Sequence, residues 1–276
     1  MNTPDPPPHV WTPATVTRFW NHMAGSPALE HHYFAAQVGA GVVRLLGFAA
    51  PLADREVLDL GCGPGMLTAR LLEAGARAYG SDTSAVSVAA VNARFRDQPG
   101  WGGARLTTFG MSPWPDASFD VVCCVETVEH VLETELVGFL GEIFRLLRPG
   151  GRALLTTPND ENLGHEEVLC PACGTVFHRW QHVRSWRADS LAGCLTTAGF
   201  NVLFCRGLDF RRMQRRQLTG LLDFSARKAG SMARNLLEGI LDGLAPKAFP
   251  HGRRLKRLLG DPFGPHLAAV VERPRT

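Results

Sequence analysis

The stretch Val57-Leu58-Asp59-Leu60-Gly61-Cys62-Gly63-Pro64-Gly65 decides the fold of this chain of 276 residues. A short apolar run, typical of a buried strand, turns abruptly into alternating glycines, and a helical pattern follows over 66–74. Glycine places no Cβ in the way of a ligand, and the free N–H groups at a helix start point outward. The stretch therefore predicts a strand, a tight turn and a helix on which a nucleotide-like ligand can lie.

A second acidic residue strengthens this interpretation. The glycine turn alone is shared by dehydrogenases, flavoproteins and methyltransferases. Here Asp82 follows a second apolar strand, where its carboxylate can accept two hydrogen bonds from a ribose diol and disfavours a 2′-phosphate. Asp59 ends the first strand, and Pro64 stands where a dinucleotide fingerprint has no proline. The combination resembles the class I S-adenosylmethionine-dependent methyltransferases, which carry an acidic-Leu-Gly-Cys-Gly-x-Gly motif and an acid after the second strand.

This resemblance implies S-adenosylmethionine as methyl donor. Asp59 and the glycine backbone would hold the methionine part, and Asp82 the ribose. The family often has an acid after the third strand that contacts adenine, but Gly110-Met111-Ser112 stands there. Adenine recognition is thus left to backbone and Met111. The expected donor residues are Asp59, Gly61, Cys62, Gly63, Gly65, Asp82, Thr83, Met111 and Glu126.

Strand and helix patterns alternate from Val57 onward, which predicts an α/β fold with a parallel sheet covered on both faces. With the resemblance, the expectation is a Rossmann-like, doubly wound sheet of seven strands whose last strand is antiparallel. N-terminal helices precede it and a helical insertion precedes the last strand. The predicted strands are 57–60, 78–81, 106–109, one ending at Val125, 152–157, 201–206 and 267–272.

The expected organisation has four parts. Residues 1–50 form a leader and lid helices, predicted at 16–23 and 29–48. Residues 51–207 form the S-adenosylmethionine-binding core, with a Cys/His loop at 160–186. Residues 208–262 form a basic helical insertion, and 263–276 carry the final core strand. The insertion is rich in arginine, so it could bind an acidic substrate, touch a membrane surface or simply be a solvated face.

Composition limits the class of protein. A hydrophobic content of 45% supports a full core, and a net charge of +3 is too small to imply nucleic acid by itself. No stretch approaches the length of a membrane span, and the proline-rich start lacks a signal-peptide core. Seven cysteines without an export signal argue against a disulfide framework. We therefore expect a cytoplasmic protein with a small-molecule acceptor, while its oligomeric state is left open.

The first candidate for chemistry is Glu126, Glu129 and His130, whose spacing places three side chains on one face after the fourth strand. Two carboxylates and an imidazole suit magnesium or another divalent cation, or a general base. Glu-x-x-Glu-His resembles the metal site of ubiquinone-biosynthesis O-methyltransferases and of small-RNA 3′-end 2′-O-methyltransferases. Those families add a histidine from a loop after the fifth strand, which His182 resembles. Alternatively, Glu126 faces solvent and His130 only packs.

The second candidate is a Cys-x-x-Cys loop. Cys170 and Cys173 form a knuckle whose thiolates face one point, and His178 and His182 could complete a closed structural zinc site if that segment is helical. His182 cannot serve both this zinc and the Glu126 site. A zinc site using Cys170, Cys173 and His178, with His182 turned to the active site, competes with a metal-free loop.

The resemblance predicts an S-adenosylmethionine-dependent methyltransferase. The favoured reaction is attack of a small-molecule hydroxyl on the donor methyl group, with the hydroxyl belonging to a secondary metabolite, quinone or sugar. Positioning and desolvation would do most of the work, because the sulfonium already makes the methyl reactive. The catalytic candidates are His130, Glu129, Glu126 and His182. The alternatives are an RNA 3′-end 2′-O-methyltransferase, an N- or C-methyltransferase and a non-catalytic donor-binding protein.

Overall fold

A mixed sheet of seven strands carries the fold. The computed structural model describes residues 5–108, 111–215 and 264–275. The strands are β1 (Glu56–Leu60), β2 (Arg77–Asp82), β3 (Trp101–Leu106), β4 (Phe119–Val125), β5 (Leu147–Pro158), β6 (Glu167–Leu169), β7 (Val176–His178), β8 (Asn201–Leu208) and β9 (His266–Glu272). The helices are α1 (Pro13–Ala24), α2 (Phe34–Ala49), α3 (Met66–Glu73), α4 (Ala85–Phe95), α5 (Leu136–Leu146), α6 (Ala188–Thr197) and α7 (Phe210–Arg215), with 3₁₀ turns at Pro27–His32, Glu133–Glu135 and Leu163–Glu166.

The strand order confirms the expected topology. In the large sheet it is β3-β2-β1-β4-β5-β9-β8, and β6 pairs with β7 in a separate hairpin. Strands β1 to β5 run parallel, whereas β9 is antiparallel to both of its neighbours. The order reverses between β1 and β4, and in such sheets ligands bind in the crevice at the carboxyl ends of the strands beside this point.

Both faces of the sheet are packed. Leu58 and Leu155 belong to one apolar cluster, with α5 and α6, while Val57 and Leu154 belong to the other, with α2 and α3. All four side chains are fully buried. Burial on both faces explains why these strands are apolar without alternation, and each such leucine contributes about 1.5 to 3 kcal/mol to folding. This packing holds the carboxyl ends of the strands in place.

The third strand lies earlier than predicted. The prediction was 106–109, whereas β3 begins at Trp101 and ends at Leu106, pairing Asp82 with Leu106. The two glycines after Trp101 weaken a strand pattern. Gly102 is required here, because a Cβ at this position would lie 2.0 Å from the ring of Tyr79. Residue 109, where the predicted strand ended, is outside the described residues.

The N-terminal helices are confirmed with different boundaries. Thr12 caps α1 through its side chain, and the predicted second helix divides into a 3₁₀ turn and α2 because Tyr33 adopts an extended conformation between them. Most of the basic insertion, including Arg216, Arg227, Lys228 and Arg234, falls at 216–263, outside the described residues. In the described part of the chain, no helix has both the length and the apolar character needed to cross a membrane.

Candidate active site

The glycine turn after β1 shapes the first half of the site. Gly63 has φ +49°, and a Cβ on it would lie 3.0 Å from the ring of Tyr33, so any other residue would strain the turn and crowd this side chain. Gly65 has φ +87°, and a Cβ there would lie 2.6 Å from Phe95 and 2.7 Å from Val91. Gly65 therefore allows α3 to pack against α4, and unlike the other expected donor residues it does not line the cavity described below.

Two buried carboxylates support the turn. Asp82 accepts hydrogen bonds from the backbone N–H groups of Gly63 and Ser84, both at 2.8 Å, which ties the glycine turn to the end of β2. Asp59 accepts one from the Thr68 hydroxyl at 2.7 Å. Burial raises the pKa of Asp82 above its ordinary value and raises the pKa of Asp59 to about 7. Each carboxylate keeps lone pairs that a bound cation or hydroxyl can use.

A cavity lies over this turn. Eight of the nine residues expected to bind the donor line it: Asp59, Gly61, Cys62, Gly63, Asp82, Thr83, Met111 and Glu126. Its wall is mostly apolar, and burial keeps Cys62 a neutral thiol by raising its pKa. Met111 is the most open of the eight, with 71% of its surface exposed. A bare backbone turn, two acids and an apolar wall fit an adenosyl ligand with a cationic methionine end.

A second cavity of about 550 Å³ opens beside the first. Aromatic side chains form much of its wall, among them Trp180 and Phe210. Five residues line both cavities, and they come from the N-terminal helical segment and from the turn after β4: Trp20, Tyr33, Phe34, Glu126 and His130. The volume is within the range of small-molecule sites. A methyl group held in the first cavity would thus face an acceptor held in the second.

Glu126 is fixed at this junction. Its backbone has φ +48°, and its carboxylate accepts a hydrogen bond from the Thr156 hydroxyl at 2.8 Å and lies 3.1 Å from Nδ1 of His266. Its side chain is held within the fold, contrary to the alternative of a solvent-facing side chain. His266 was missed by sequence reasoning, which started the last strand one residue later. Since β9 is antiparallel to β5, its first residue meets the carboxyl end of β5.

Glu129 is the most unusual group of the site. It is 1% exposed, and neither carboxylate oxygen has a hydrogen-bond partner among the described residues. Nε2 of His130 is 3.9 Å from one of these oxygens. Burial, followed by repulsion from Glu126, raises the pKa of Glu129 well above its usual range. An isolated buried carboxylate is costly, so this side chain requires a proton or a cation.

His130 is held as a neutral imidazole. Burial, followed by the proximity of His182, lowers the pKa of His130 well below its usual range. Nδ1 lies 3.4 Å from the carbonyl oxygen of Gln181, and Trp20 packs its ring edge-on at 4.7 Å. Since Nδ1–H donates to this carbonyl, the lone pair is on Nε2, which faces Glu129. His130 therefore offers a ligand or base nitrogen on that side.

Glu161 links two further histidines. One carboxylate oxygen lies 2.5 Å from Nδ1 of His182, and the other lies 3.4 Å from Nε2 of His178. Burial alone would raise the pKa of Glu161, but the contacts with His178 and His182 outweigh it and lower the pKa to about 2. Sequence reasoning assigned Glu161 no role. Its contact depends on β7 and the following turn folding back onto the loop after β5, which no local pattern specifies.

Two groups in the described part of the chain bring three ligand atoms within 4.8 Å of one another. One contains Glu129, His130 and His182, and the other contains Glu161, His178 and His182. Glu126 is outside the first group, so the structure brings together three of the four expected residues. Neither group contains Cys170 or Cys173.

The four-ligand zinc set is therefore not assembled. That set assumed a helical segment joining His178 and His182, but β7 ends at His178, and both histidines turn toward Glu161. The rings of His130 and His182 have centroids 4.9 Å apart. His182 is thus on the active-site side, where one of the two competing interpretations placed it.

Known proteins share this architecture. The sequence pattern of a methyltransferase domain family matches residues 29–203, so the chain belongs to that family. A protein named as a probable S-adenosylmethionine-dependent methyltransferase from Mycolicibacterium smegmatis is 33% identical over 180 residues, which cover 65% of this chain and 62% of that protein. The chain thus spans less than two thirds of that relative. The expected resemblance to S-adenosylmethionine-dependent methyltransferases is confirmed.

Other matches agree in fold. A ubiquinone biosynthesis O-methyltransferase of Paracidovorax citrulli is 30% identical over 178 residues, covering 60% of this chain and 72% of the relative. Among solved structures, a chain from the complex between the Haloferax volcanii Trm112 methyltransferase activator and a methyltransferase aligns with a TM-score of 0.59 at 19% identity. That alignment covers 92% of this chain and 97% of the other, and at this identity it supports the fold alone.

Proposed function

We propose that this protein transfers a methyl group from S-adenosylmethionine to a hydroxyl of a small aromatic molecule, with a divalent cation at Glu129, His130 and His182. The observation that carries the proposal is the buried carboxylate of Glu129, which has no hydrogen-bond partner in the described part of the chain and lies near two imidazoles beside the junction of the two cavities. The relatives named as O-methyltransferases support the oxygen acceptor.

The residues present fit a cation. A carboxylate and two imidazoles suit a first-row transition metal such as Mn²⁺ better than Mg²⁺, which prefers oxygen ligands and retained water. A positive charge would also compensate the buried Glu129 carboxylate. A divalent cation bound here would supply Lewis acidity, which lowers the pKa of a nearby hydroxyl toward neutrality.

The protein's own groups orient this site. Glu161 holds Nδ1 of His182 and leaves Nε2 as the nitrogen able to bind a cation, as carboxylates behind histidine ligands do. The Gln181 carbonyl does the same for His130. Gln181 also accepts a hydrogen bond from the indole of Trp20 at 2.9 Å, so the lid helix and the histidines are positioned together.

The second cavity indicates the class of acceptor. Trp20, Tyr33, Phe34, Trp180 and Phe210 surround it, and flat aromatic walls favour a planar, largely apolar molecule. Closing such a cavity over the acceptor excludes water from the transferred methyl group. A phenol or catechol fits these walls better than a sugar does.

The test is transfer of radiolabelled methyl from S-adenosylmethionine to a panel of catechols and phenols, with Mn²⁺ and with chelator. We expect an O-methylated product that chelation suppresses at least about tenfold and that Glu129→Gln also suppresses. Glu73→Gln, at an exposed glutamate on α3, is the matched control and should retain activity.

Two results would contradict the proposal. One is transfer only to nitrogen or carbon acceptors, with no effect of chelator. The other is tight donor binding with no transfer to any member of an oxygen, nitrogen and carbon panel, which would favour a non-catalytic donor-binding protein.

A further inference from the structure

The Cys-x-x-Cys motif occupies the tip of a β-hairpin away from the active-site histidines. Strands β6 and β7 pair from Glu167 with His178 to Leu169 with Val176. The backbone N–H of Cys170 donates to Thr175, and the N–H of Gly174 donates to Cys170, both at 2.8 Å. These bonds close a tight turn that holds both cysteines on one short segment, the arrangement from which metal knuckles bind zinc.

This turn supplies only half of a zinc site. Structural zinc takes four ligands, and in the described residues no third ligand atom approaches both thiols. Cys62, Cys123 and Cys124 are buried elsewhere, Cys194 is on α6 and Cys205 on β8. Residues 216–263 contain no cysteine. None of the other cysteines in the described part of the chain forms a second pair like this one, and a second copy of the chain would bring two more thiolates in the same arrangement.

The hairpin also has an open side. Backbone groups of Pro7 and His9 bond Val176 of β7, which covers one edge. Strand β6 has no strand on its other edge within the described part of the chain, and it exposes Val168 and Leu169, the latter at 56%. An uncovered edge with apolar side chains is a template for pairing with another chain. Cys173 is exposed beside it.

We propose that Cys170 and Cys173 of two copies of this chain bind one zinc ion between them, forming a dimer in which the β6 edges lie together. The arrangement is isologous, since each copy gives the same two thiolates and the same edge to the other. It is independent of methyl transfer, because the histidines of the active site take no part in it.

The direct test is the zinc content and mass of the full chain, purified without chelator, by plasma mass spectrometry and light scattering. We expect about one zinc ion per two chains and a dimer that a strong chelator converts to monomer. The Co²⁺-substituted protein should show the visible spectrum of tetrahedral tetrathiolate cobalt. A monomer holding about one zinc per chain would overturn the proposal, as would a zinc-free protein with Cys170 and Cys173 free or oxidised.

Variants separate the thiolates from the edge. Cys173→Ser should lose at least about nine tenths of the zinc and the dimer together, and Cys194→Ser, the matched control on α6, should keep both. Leu169→Lys keeps the thiolates and should weaken the dimer at least about tenfold. Donor binding should persist in all three, which shows that they fold. Retention of zinc and dimer by Cys173→Ser would contradict the shared site.

Discussion

The two halves of the active site differ in how the chain satisfies its polar groups. In the donor half, Asp59 and Asp82 accept hydrogen bonds from neighbours within the same two βα units. In the acceptor half, Glu129 is fully buried with no hydrogen-bond partner among the described residues, and the imidazoles near it belong to the adjacent His130 and to His182 of a distant loop. The donor carboxylates are thus hydrogen-bonded within the fold, whereas the Glu129 carboxylate needs a proton or a positive charge that no described residue supplies.

The largest effect on ligand binding is expected for Asp82→Ala, which changes the donor half alone. The substitution removes both the bonds to Gly63 and Ser84 and the expected ribose contacts, each worth about 1.5 to 3 kcal/mol with a charged acceptor. Calorimetry should show S-adenosylmethionine binding at least about 100-fold weaker. Asp97→Ala, on an exposed aspartate after α4, is the control. Unchanged affinity in Asp82→Ala would remove the ribose assignment.

Glu161→Gln should affect only the acceptor half. Loss of the carboxylate that orients His182 should weaken Mn²⁺ binding by about 10- to 100-fold, the usual effect of groups behind metal ligands. Donor affinity should stay within about twofold, since Glu161 does not line the donor cavity. Glu166→Gln changes a half-buried glutamate of the same loop, paired with Arg179, and should leave both affinities unchanged. Equal loss of donor and cation binding in Glu161→Gln would indicate a structural role.

Asp59→Asn should change the pH dependence of stability. Because burial raises the pKa of Asp59 from 3.8 to about 7, the folded state binds this proton more tightly than the unfolded state. Its stabilising contribution is therefore full below about pH 4 and is lost as the pH rises to about 7. Between pH 5 and pH 8, the free energy of unfolding measured in urea should fall by about 3 kcal/mol more in the wild type than in Asp59→Asn. If the difference in free energy of unfolding between the two proteins did not change with pH, the raised pKa of Asp59 would be contradicted.

The smallest effect is expected for Met111→Ala. Met111 lines the donor cavity but is largely exposed, and its backbone N–H and carbonyl bond to Thr108. Because the side chain is so exposed, its contact with adenine is expected to be weak, and its removal should lower donor affinity less than about threefold. A tenfold loss in calorimetry would show that Met111 does take the place of the acid that the resemblance led us to expect after the third strand.

The same contrast explains what the sequence could predict. Four of the eight donor residues that line the cavity belong to one local motif, in which strand, turn and helix place neighbours in sequence together. The other four lie at or after the ends of later strands and were expected from the resemblance to a known family. A parallel sheet covered on both faces followed from the alternating strands and helices, and the antiparallel last strand followed from the resemblance. The third strand was misplaced because the two glycines after Trp101 remove the strand pattern there, and the first of them, Gly102, is required by its close packing against Tyr79.

The acceptor half could be predicted only in part. Glu129 and His130 share one turn, so their spacing was informative. Glu161 and His266 reach the site through a folded-back loop and an antiparallel strand, and such contacts leave no periodic signal. His178 was assigned to the cysteines because His182 follows four positions later, which is a helical spacing. In the structure His178 is the last residue of a strand, so this spacing does not apply.

The most direct test of the central claim is a crystal structure with S-adenosylhomocysteine and Mn²⁺, recorded at a wavelength where manganese scatters anomalously. The account predicts one anomalous peak within bonding distance of Glu129, His130 and His182, beside the sulfur of the donor product, and no peak in Glu129→Gln. An ordered donor product with no manganese at these residues, or manganese bound only elsewhere, would contradict it.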